Sequence, residues 1–323
     1  MIPKPKQSGK LRVMVLAGGI SHERDVSLKS GRRVADALIE HGDSVVIREP
    51  DADLLTHIKK DKPDVIWPVL HGASGEDGAL RDILALTGVP FVGANPQSAR
   101  LAWDKSIAKI LVAGQGIQTP PSVTLPKETF RELDADGVLK AVAGSLAFPL
   151  VVKPARSGSA QGVSRVKKLD QLSKAMIDAY VYCDVAIIEK QVNGTELAIS
   201  VIDLGAGPIA LPAVEIEPVD GQFGYQERYT AGETNYYVPA RLTKAVSERA
   251  AAMAIKAHNS LGLRHLSRVD MIVDEKGVPW FLEANVLPGL TETSLLPQAV
   301  VAAGHSLGDV YHSLAEAALR GRG

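Results

Sequence analysis

The sequence has very little cysteine: one thiol, Cys183, among 323 residues. A lone thiol excludes an internal disulfide, and no cysteine–histidine spacing along the chain suggests a zinc site. We therefore expect the protein to work in a reducing, cytoplasmic setting. Long apolar runs are missing as well, since none approaches the ~18 residues that cross a bilayer as a helix.

An excess of charge of either sign is also absent. The chain has 36 lysines and arginines against 37 aspartates and glutamates, a net charge of −1. This balance gives no reason to expect a nucleic-acid or membrane-surface partner. Two phosphate-binding fingerprints, the G-x-x-x-x-G-K-[ST] loop and the G-x-G-x-x-G turn, are missing too. The chain thus lacks the sequence marks of Walker-type NTPases and of dinucleotide-binding folds.

The apolar content is sufficient for a large core. Hydrophobic residues make up 46% of the chain, and the length suggests about two to three domains. Short apolar segments at residues 11–16, 44–47 and 64–70 are typical of buried strands, and residues 25–41 have helical spacing before Gly42. Strands that alternate with helices predict an α/β fold with a parallel sheet.

The alternation continues through the rest of the chain. The predicted elements are helices at 104–114, 171–180 and 242–262, strands at 148–153, 185–190, 197–203 and 213–218, a hairpin, and a C-terminal helical segment. We expect three domains, at residues 1–102, 103–192 and 193–323. Residues 220–233 are polar and glycine-rich without periodicity, which is typical of a functional loop.

Residues 267–284 indicate the hairpin, with two alternating segments around the turn DEKG. A two-residue loop would place Asp270 opposite Phe281 and Arg268 opposite Glu283. A three-residue loop would turn one strand's set of side chains to the other face. With the shorter loop, one face carries the polar residues Arg268, Asp270, Glu283 and Asn285. The other face carries the core residues Val269, Met271, Val273, Leu282 and Ala284.

Two carboxylates and an amide oxygen on one face are hard ligands. Magnesium binds such groups together with water and substrate phosphates. The same spacing is compatible with an Arg268–Glu283 pair across the strands and with solvated Asp270 and Asn285 side chains, because surface ion pairs are common. Spacing alone leaves both interpretations open.

Lys153 ends a predicted strand and precedes a loop, residues 155–162, with two glycines and two serines. Backbone N–H groups in such a loop can bind phosphates, and Lys153 can neutralise them. An ordinary glycine-rich turn is the alternative. Glu189 and Lys190 end the next strand, and Glu196 lies just before the strand that follows. These residues could bind the base and ribose of a nucleotide. Charged residues are common at strand ends, so this signal is weak by itself.

Several motifs in one order carry a resemblance to a known family. They are LAGGISHERDVS at 16–27, LHGASGEDG at 70–78, DK at 104–105, the Lys153 loop, IEK at 188–190, ERY at 227–229 and LEANVLPGLT at 282–291. The chain resembles the D-alanine–D-alanine ligase family of the ATP-grasp superfamily, from about Arg12 to beyond Leu314.

The resemblance implies a fold and a reaction. The fold would be three α/β domains, with ATP between the central and C-terminal sheets. The carboxylate of a first D-alanine would attack the γ-phosphate and form an acyl phosphate, which the amine of a second D-alanine would attack. The dipeptide would enter peptidoglycan precursors. Members of the family commonly form homodimers, so a homodimer is implied as well.

The resemblance also implies residue roles. The ATP-binding residues would be Lys105, Lys153, Glu189, Lys190, Glu196 and Arg228. Asp270, Glu283 and Asn285 would hold two Mg2+ ions, for which Mn2+ can substitute. The catalytic residues would be Glu23, Ser159, Tyr229, Arg268 and Ser294. Further substrate contacts would come from His71, Gly289 and Leu295.

Glu23 would bind the ammonium of the first D-alanine. Its alternative role is structural, because an acidic residue is stabilised near a helix N-terminus. His71 would contact the same substrate, with a structural histidine as the alternative. Arg268 would stabilise the oxyanion and the transferring phosphoryl group. Ser294, with Leu295, would bind the carboxylate of the second D-alanine, and its alternative role as a helix N-cap is compatible with that.

Ser159 and Tyr229 would hydrogen-bond with Glu23 and close the site, with residues 220–233 as the mobile loop that excludes water. Tyr229 also favours an amine as the second nucleophile, because relatives that make D-alanine–D-lactate usually lack a tyrosine there. Arg228 stands where the family usually has lysine, which keeps the charge but changes reach and geometry.

Three alternatives stay open at this point. The second substrate could be D-serine, D-lactate or another D-amino acid, which the mass of the product would reveal. The chain could be a nucleotide-binding module without catalysis, which substrate-dependent ATP turnover would exclude. It could also be an ATP-grasp enzyme that activates bicarbonate, recognised by bicarbonate-dependent phosphate release.

Overall fold

The computed structural model describes residues 9–218 and 234–321. Its first sheet is parallel, in the order β2-β1-β3, and its strands are β1 (Arg12–Ala17), β2 (Ser44–Arg48) and β3 (Val65–Val69). The helices of this part are α1 (Arg24–His41), α2 (Leu54–Asp61), α3 (Ala73–Glu76), α4 (Ala79–Leu86) and α5 (Pro96–Trp103). Strand β1 is a run of apolar residues because helices cover both faces of a parallel sheet.

The central sheet is antiparallel, in the order β4-β7-β5-β6. Its strands are β4 (Ser122–Pro126), β5 (Leu150–Pro154), β6 (Ser164–Val166) and β7 (Val185–Lys190). The helices are α6 (Lys105–Gly114), α7 (Lys127–Glu132), α8 (Ala135–Leu146) and α9 (Leu172–Tyr180), with a 3-10 turn at Leu169–Gln171. Leu139 of α8 and Leu172 and Met176 of α9 pack against this sheet.

The third sheet is also antiparallel, in the order β11-β10-β8-β12-β13, with β9 on β8. Its strands are β8 (Thr195–Asp203), β9 (Pro208–Ala210), β10 (Val214–Pro218), β11 (Thr234–Tyr237), β12 (Leu266–Val273) and β13 (Pro279–Asn285). The helices are α10 (Lys244–Ser260), α11 (Leu295–Ala302) and α12 (Leu307–Arg320). The loop predicted at residues 220–233 lies outside the described residues.

The hydrophobic cores join parts that are distant in sequence. The ring of Tyr311 on α12 meets Trp67 of β3 edge-on, with ring centroids 5.2 Å apart. Apolar residues of α5 and α6, such as Ala102 and Val112, share a core with Phe281 of β13. The limits of the three domains stay a prediction. Among residues 9–218 and 234–321, no helix combines the length and the apolar character needed to cross a membrane.

The hairpin loop between β12 and β13 is the longer of the two alternatives. The Asp274 N–H donates to the Val278 carbonyl, so residues 275–277 form a three-residue loop. The two-residue loop, on which the shared polar face was conditional, is therefore not the one that forms. By itself, the extra residue would turn Glu283 and Asn285 toward the core.

A β-bulge in β13 compensates for the longer loop. Met271 lies opposite Phe281 but Asp270 lies opposite Glu283, which leaves Leu282 as an extra residue. A bulge shifts the alternation of the strand by one position, and Glu283 thereby returns to the face that Asp270 occupies. Leu282, expected in the core, is instead half-buried and lines a cavity.

Candidate active site

Two adjoining cavities lie against the third sheet. The larger has a volume of about 910 Å³ and the smaller about 470 Å³. Lys105, Ser157 and Glu283 line both. A group transferred between molecules in the two cavities would therefore pass Lys105 and Glu283.

A buried charge network forms one wall of the smaller cavity. Glu189, near the end of β7, is 3% exposed. One of its carboxylate oxygens lies 2.7 Å from Lys153 Nζ and the other 2.7 Å from Lys109 Nζ. Burial alone would raise the pKa of Glu189, but the charges and hydrogen bonds of the two lysines lower it below its usual value. The network thus holds Lys153 at the end of β5, facing the cavity.

Two other predicted nucleotide-binding residues, Lys190 and Glu196, lie on the same cavity wall. The Lys190 ammonium donates to the backbone carbonyls of Ala147 and Phe148, at 3.0 and 2.9 Å. This side chain therefore also fixes the segment that leads into β5.

Lys105 connects the helix, the glycine-serine loop and the hairpin. It is the first residue of α6 and 7% exposed. Its Nζ donates to the Ser157 carbonyl at 2.7 Å and lies 3.3 Å from Glu283 Oε2. An ammonium held in this way can neutralise a phosphate or carboxylate at the junction of the cavities.

The hairpin face holds the predicted metal ligands. Asp270 lies directly opposite Glu283, and Arg268 lies opposite Asn285 instead of Glu283 as expected. Carboxylates at directly opposed positions are close enough to share a cation. The side-chain amide oxygen of Asn285, Oδ1, accepts the N–H of Leu287 at 2.8 Å and keeps a second lone pair for a metal. This donor set fits Mg2+.

Arg268 binds its own strand rather than the neighbouring one. Its Nε and Nη2 donate to the two oxygens of Asp270, both at 2.7 Å. Burial by itself would lower the pKa of Arg268, but the charge and hydrogen bonds of Asp270 raise it above its ordinary value. The guanidinium therefore stays charged and fixed where it lines the larger cavity.

Glu23 lies in the lining of the larger cavity. It is the residue before the first turn of α1, and its side chain makes no capping hydrogen bond there. Its carboxylate instead accepts a short hydrogen bond from the Ser159 hydroxyl. Ser159 and Ala160 both have left-handed backbones, with φ of +50° and +56°. Non-glycine residues in this conformation are concentrated at functional sites.

Two buried titratable groups lie in the same cavity lining. His71 follows β3, and its Nε2 lies 3.3 Å from the Ser30 hydroxyl. Burial, with Arg268 adding to the effect, lowers the pKa of His71 to about 4. Glu76 accepts the Gly72 N–H at 2.9 Å. Burial, with the charge of Glu23 in addition, raises the pKa of Glu76 to about 8. Both side chains are therefore neutral at pH 7.

Ser294 lies in the lining of the same cavity, at the start of α11. It occupies the N-cap position without a side-chain capping hydrogen bond. Its hydroxyl is held by Thr291, through the N–H at 3.0 Å and the hydroxyl at 2.8 Å. A Cβ on Gly289 would lie 2.7 Å from this hydroxyl, so a side chain at this position would require the Ser294 hydroxyl to shift. The helix N-terminus at Leu295 can therefore bind an anion.

The structure brings the described site residues predicted from sequence to the two cavities. The larger is lined by Glu23, His71, Lys105, Ser159, Arg268, Glu283, Asn285, Gly289, Ser294 and Leu295. The smaller is lined by Lys105, Lys153, Glu189, Lys190, Glu196, Asp270 and Glu283. Arg228 and Tyr229 lie outside the described residues. The individual roles stay predictions.

Sequence reasoning missed two residues of this region, Glu76 and Lys109. Lys109 was detectable, because it lies four positions after Lys105 and so on the same side of a helix. Glu76 belongs to the LHGASGEDG motif, but an acidic residue in a glycine-rich segment gives no sign of burial. Only the fold reveals its environment.

Comparisons with known proteins identify relatives of this chain. A family model described as D-ala D-ala ligase C-terminus matches residues 111–316. A D-alanine–D-alanine ligase of Pelotomaculum thermopropionicum is 36% identical over 313 residues, 97% of this chain and 98% of the relative.

Solved structures are similar to this chain as well. The D-alanine–D-alanine ligase of Bacillus anthracis has a TM-score of 0.82 at 30% identity, over 97% of this chain and 98% of that chain. Its complex with ATP has a TM-score of 0.79 at 29% identity, with the same coverage. The VanG D-Ala:D-Ser ligase of Enterococcus faecalis has a TM-score of 0.82 at 28% identity, over 96% and 100%.

The fold class and the family predicted from sequence are confirmed by these matches. The family model covers well over half of the chain, and the Pelotomaculum relative is similar over nearly its whole length. The chain belongs to the D-alanine–D-alanine ligase family.

Proposed function

We propose that the chain is an ATP- and magnesium-dependent ligase that joins two D-alanine molecules into D-alanyl-D-alanine for peptidoglycan precursors. The observation that carries the proposal is the meeting of the two cavities at Lys105 and Glu283. The smaller cavity contains Lys153, which can bind phosphate. The larger cavity contains the carboxylate of Glu23 and the N-terminus of α11. Such a pair suits a nucleotide beside two amino acids.

ATP would occupy the smaller cavity, with its phosphates near Lys153 and Lys105. The Bacillus anthracis ligase, a structural relative, has been solved with ATP, which supports this assignment. Asp270, Glu283 and Asn285 would hold magnesium. When bound, the metal would offset the negative charge of the phosphates and orient them.

The larger cavity would bind both amino acids. The Glu23 carboxylate would take the ammonium of the first D-alanine, and its bond from Ser159 would fix its position. The first carboxylate would receive the γ-phosphoryl group, and the amine of the second D-alanine would displace phosphate and form the amide. Arg268 supplies a fixed positive charge for the oxyanion that develops on the attacked carbonyl. The neutral His71 can donate or accept a hydrogen bond there without competing for that charge.

The second amino acid would bind through its carboxylate at the N-terminus of α11, beside Ser294. The similarity to a D-Ala:D-Ser ligase makes D-serine the second candidate at this position. D-Lactate and other D-amino acids share the carboxylate and are further alternatives.

A panel of second substrates tests the proposal. Purified protein would be incubated with ATP, Mg2+ and D-alanine, alone and with equimolar D-serine, D-lactate or glycine, and product masses would be measured. We expect D-alanyl-D-alanine as the main product in every mixture. D-Alanyl-D-serine in excess would assign the chain to the second candidate, and absence of any dipeptide would refute both.

A cytoplasmic location and a homodimer stay predictions. Cell fractionation tests the first, and light scattering of the purified protein tests the second.

A further inference from the structure

A cluster of metal-ligating side chains lies outside both cavities. It consists of His41, the last residue of α1, Asp43, which follows it, and His312 on α12. One nitrogen or oxygen of each residue lies within 4.8 Å of the others. Asp43 Oδ2 is 2.8 Å from His312 Nδ1 and 3.7 Å from His41 Nδ1.

The local backbone creates this convergence. Gly42 has a left-handed conformation, with φ +112°, and ends α1 by donating to the Ile39 and Leu38 carbonyls. The reversal brings His41 and Asp43 to the same side. The other oxygen of Asp43 accepts the Leu11 N–H at 3.0 Å. Asp43 is therefore fixed at 5% exposure with one oxygen directed at the histidines.

The outer nitrogens of both imidazoles face carboxylates. His41 Nε2 is 3.6 Å from Asp309 Oδ1, and His312 Nε2 is 3.8 Å from Glu316 Oε1. Carboxylates in this position orient histidines whose inner nitrogen binds a metal, and they raise the basicity of the ligand. The cluster thus offers an inner set of three ligand atoms and an outer set of two acidic groups.

We propose that His41, Asp43 and His312 form a binding site for a divalent transition-metal ion of the zinc class, with water as a further ligand. Imidazole nitrogens select such ions over magnesium. A tetrahedral ion with bonds of about 2.0–2.1 Å keeps its ligand atoms about 3.3 Å apart. This value lies between the distances from Asp43 Oδ2 to His312 Nδ1, 2.8 Å, and to His41 Nδ1, 3.7 Å. The histidine rings are stacked, with centroids 4.1 Å apart, so binding of the ion requires the partly exposed His41 ring to turn until its lone pair is directed at the ion.

The bound ion connects the first helix of the chain to the last. Helix α1 begins beside Glu23 in the larger cavity, and α12 packs against it. A metal that binds only the folded protein at their contact stabilises it by RT ln(1 + [metal]/Kd), so the stabilisation grows with the logarithm of the metal concentration. The site is structural and does not depend on the ligase activity.

Metal titration of the ATP-free protein tests the site. Co2+ and Zn2+ binding would be measured by calorimetry and by Co2+ absorption, in an Asp270→Asn/Glu283→Gln background that silences the hairpin carboxylates. We expect one saturable equivalent that Mg2+ does not displace, together with a rise in unfolding temperature on adding Zn2+. The Co2+ spectrum should show nitrogen and oxygen ligands in low coordination.

Variants locate the ion. His41→Gln, at a partly exposed position, should abolish the saturable equivalent while the protein stays folded, and His312→Gln should do the same. Glu316→Gln should weaken binding roughly 10-fold. His57→Gln, on α2, is the matched control and should bind as before. Retained binding in both His41→Gln and His312→Gln, or no saturable equivalent in the parent, would overturn the proposal and leave a hydrogen-bonded Asp43–His312 pair only.

Discussion

Glu189 illustrates how one buried acidic residue organises a phosphate-binding wall. Its carboxylate is almost inaccessible, yet it is compensated by two ammonium groups at 2.7 Å. Removing either lysine would leave one buried carboxylate oxygen without its partner, which lowers the stability of the folded protein. Lys153 lines the cavity, and Lys109 does not. The position of Lys153 therefore depends on a lysine outside the cavity lining.

Replacing Lys109 tests this dependence. In Lys109→Met, Glu189 retains only Lys153, and the stronger attraction should draw that ammonium away from the phosphates. We expect a KM for ATP raised several-fold, and a loss of about 1–3 kcal/mol of unfolding free energy in urea from the unsatisfied carboxylate oxygen. Lys174→Met, an exposed lysine paired with Asp178 on α9, is the control and should change neither quantity. An unaltered KM for ATP in Lys109→Met would contradict the account.

At the residue scale, the site residues predicted from sequence that the structure describes line the two cavities, and their roles stay predictions. Lys153, Asp270 and Glu283 were indicated by residue type and strand position, and the family resemblance added Glu23 and Ser294. The partners of these residues could not be predicted. Arg268 binds Asp270 on its own strand, and Glu189 takes two lysines from separate segments, because such choices depend on tertiary distances.

Among the elements, the β12–β13 hairpin shows where pattern reading fails. Alternation put two carboxylates on one face only on condition that the loop has two residues. The loop has three, and a bulge in β13 returns Glu283 to the face of Asp270. A bulge inserts a residue without a distinctive sequence mark. The longer elements, such as α1 and β7, were predicted within a residue or two because their apolar periodicity is sustained.

Helix α3, which carries Glu76, depends on a close approach of two backbone segments. A Cβ on Gly75 would lie 1.6 Å from the Leu70 carbonyl oxygen, so no side chain fits there. Gly75→Ala should therefore displace α3, lower the unfolding free energy by several kcal/mol as overpacking does, and disturb the neighbouring His71.

A second glycine-to-alanine change provides the matched control. Gly144 lies inside α8, and nothing would lie within 4 Å of its Cβ. Alanine there should stabilise the protein by about 0.5–1 kcal/mol, because glycine in a helix interior is unfavourable. Urea unfolding of both variants measures the contrast. Equal effects of the two substitutions would show that the Gly75 contact is not constraining.

For the whole molecule, buried titratable groups make stability depend on pH. Burial lowers the pKa of His71, His258 and His265 to about 4 each. A lowered histidine pKa contributes stability above the unfolded value of 6.5, and that contribution is lost as pH falls toward 4. Burial raises the pKa of Glu76 to about 8, so its contribution is present at low pH and lost as pH rises through 8.

The losses of stability from the histidines at acid pH and from Glu76 at higher pH together predict a maximum in the free energy of unfolding near pH 6.5. Each pKa unit corresponds to about 1.4 kcal/mol, so three histidines should cost several kcal/mol between pH 6.5 and 4. Glu76→Gln should flatten the decline between pH 6.5 and 8 and leave the acid limb in place. Urea unfolding over this pH range measures both limbs. Constant stability from pH 6.5 to 5 would contradict the prediction.

The arrangement of the whole chain was predictable only in part. The alternation of strands and helices indicated an α/β protein, and the family resemblance indicated the three-domain architecture. The packing of α12 on the first sheet, through Tyr311 and Trp67, joins residues more than two hundred positions apart. Single-sequence patterns carry no information on such long-range packing.

The most direct test of the account is dipeptide formation from D-alanine, ATP and Mg2+, in the parent protein and in Glu283→Gln. We predict D-alanyl-D-alanine with one phosphate released per dipeptide in the parent, and a loss of 100-fold or more in the variant (roughly 3 kcal/mol of transition-state stabilisation), because Glu283 lines both cavities and faces Asp270. Phosphate release without dipeptide in the parent, or full activity of Glu283→Gln, would contradict it.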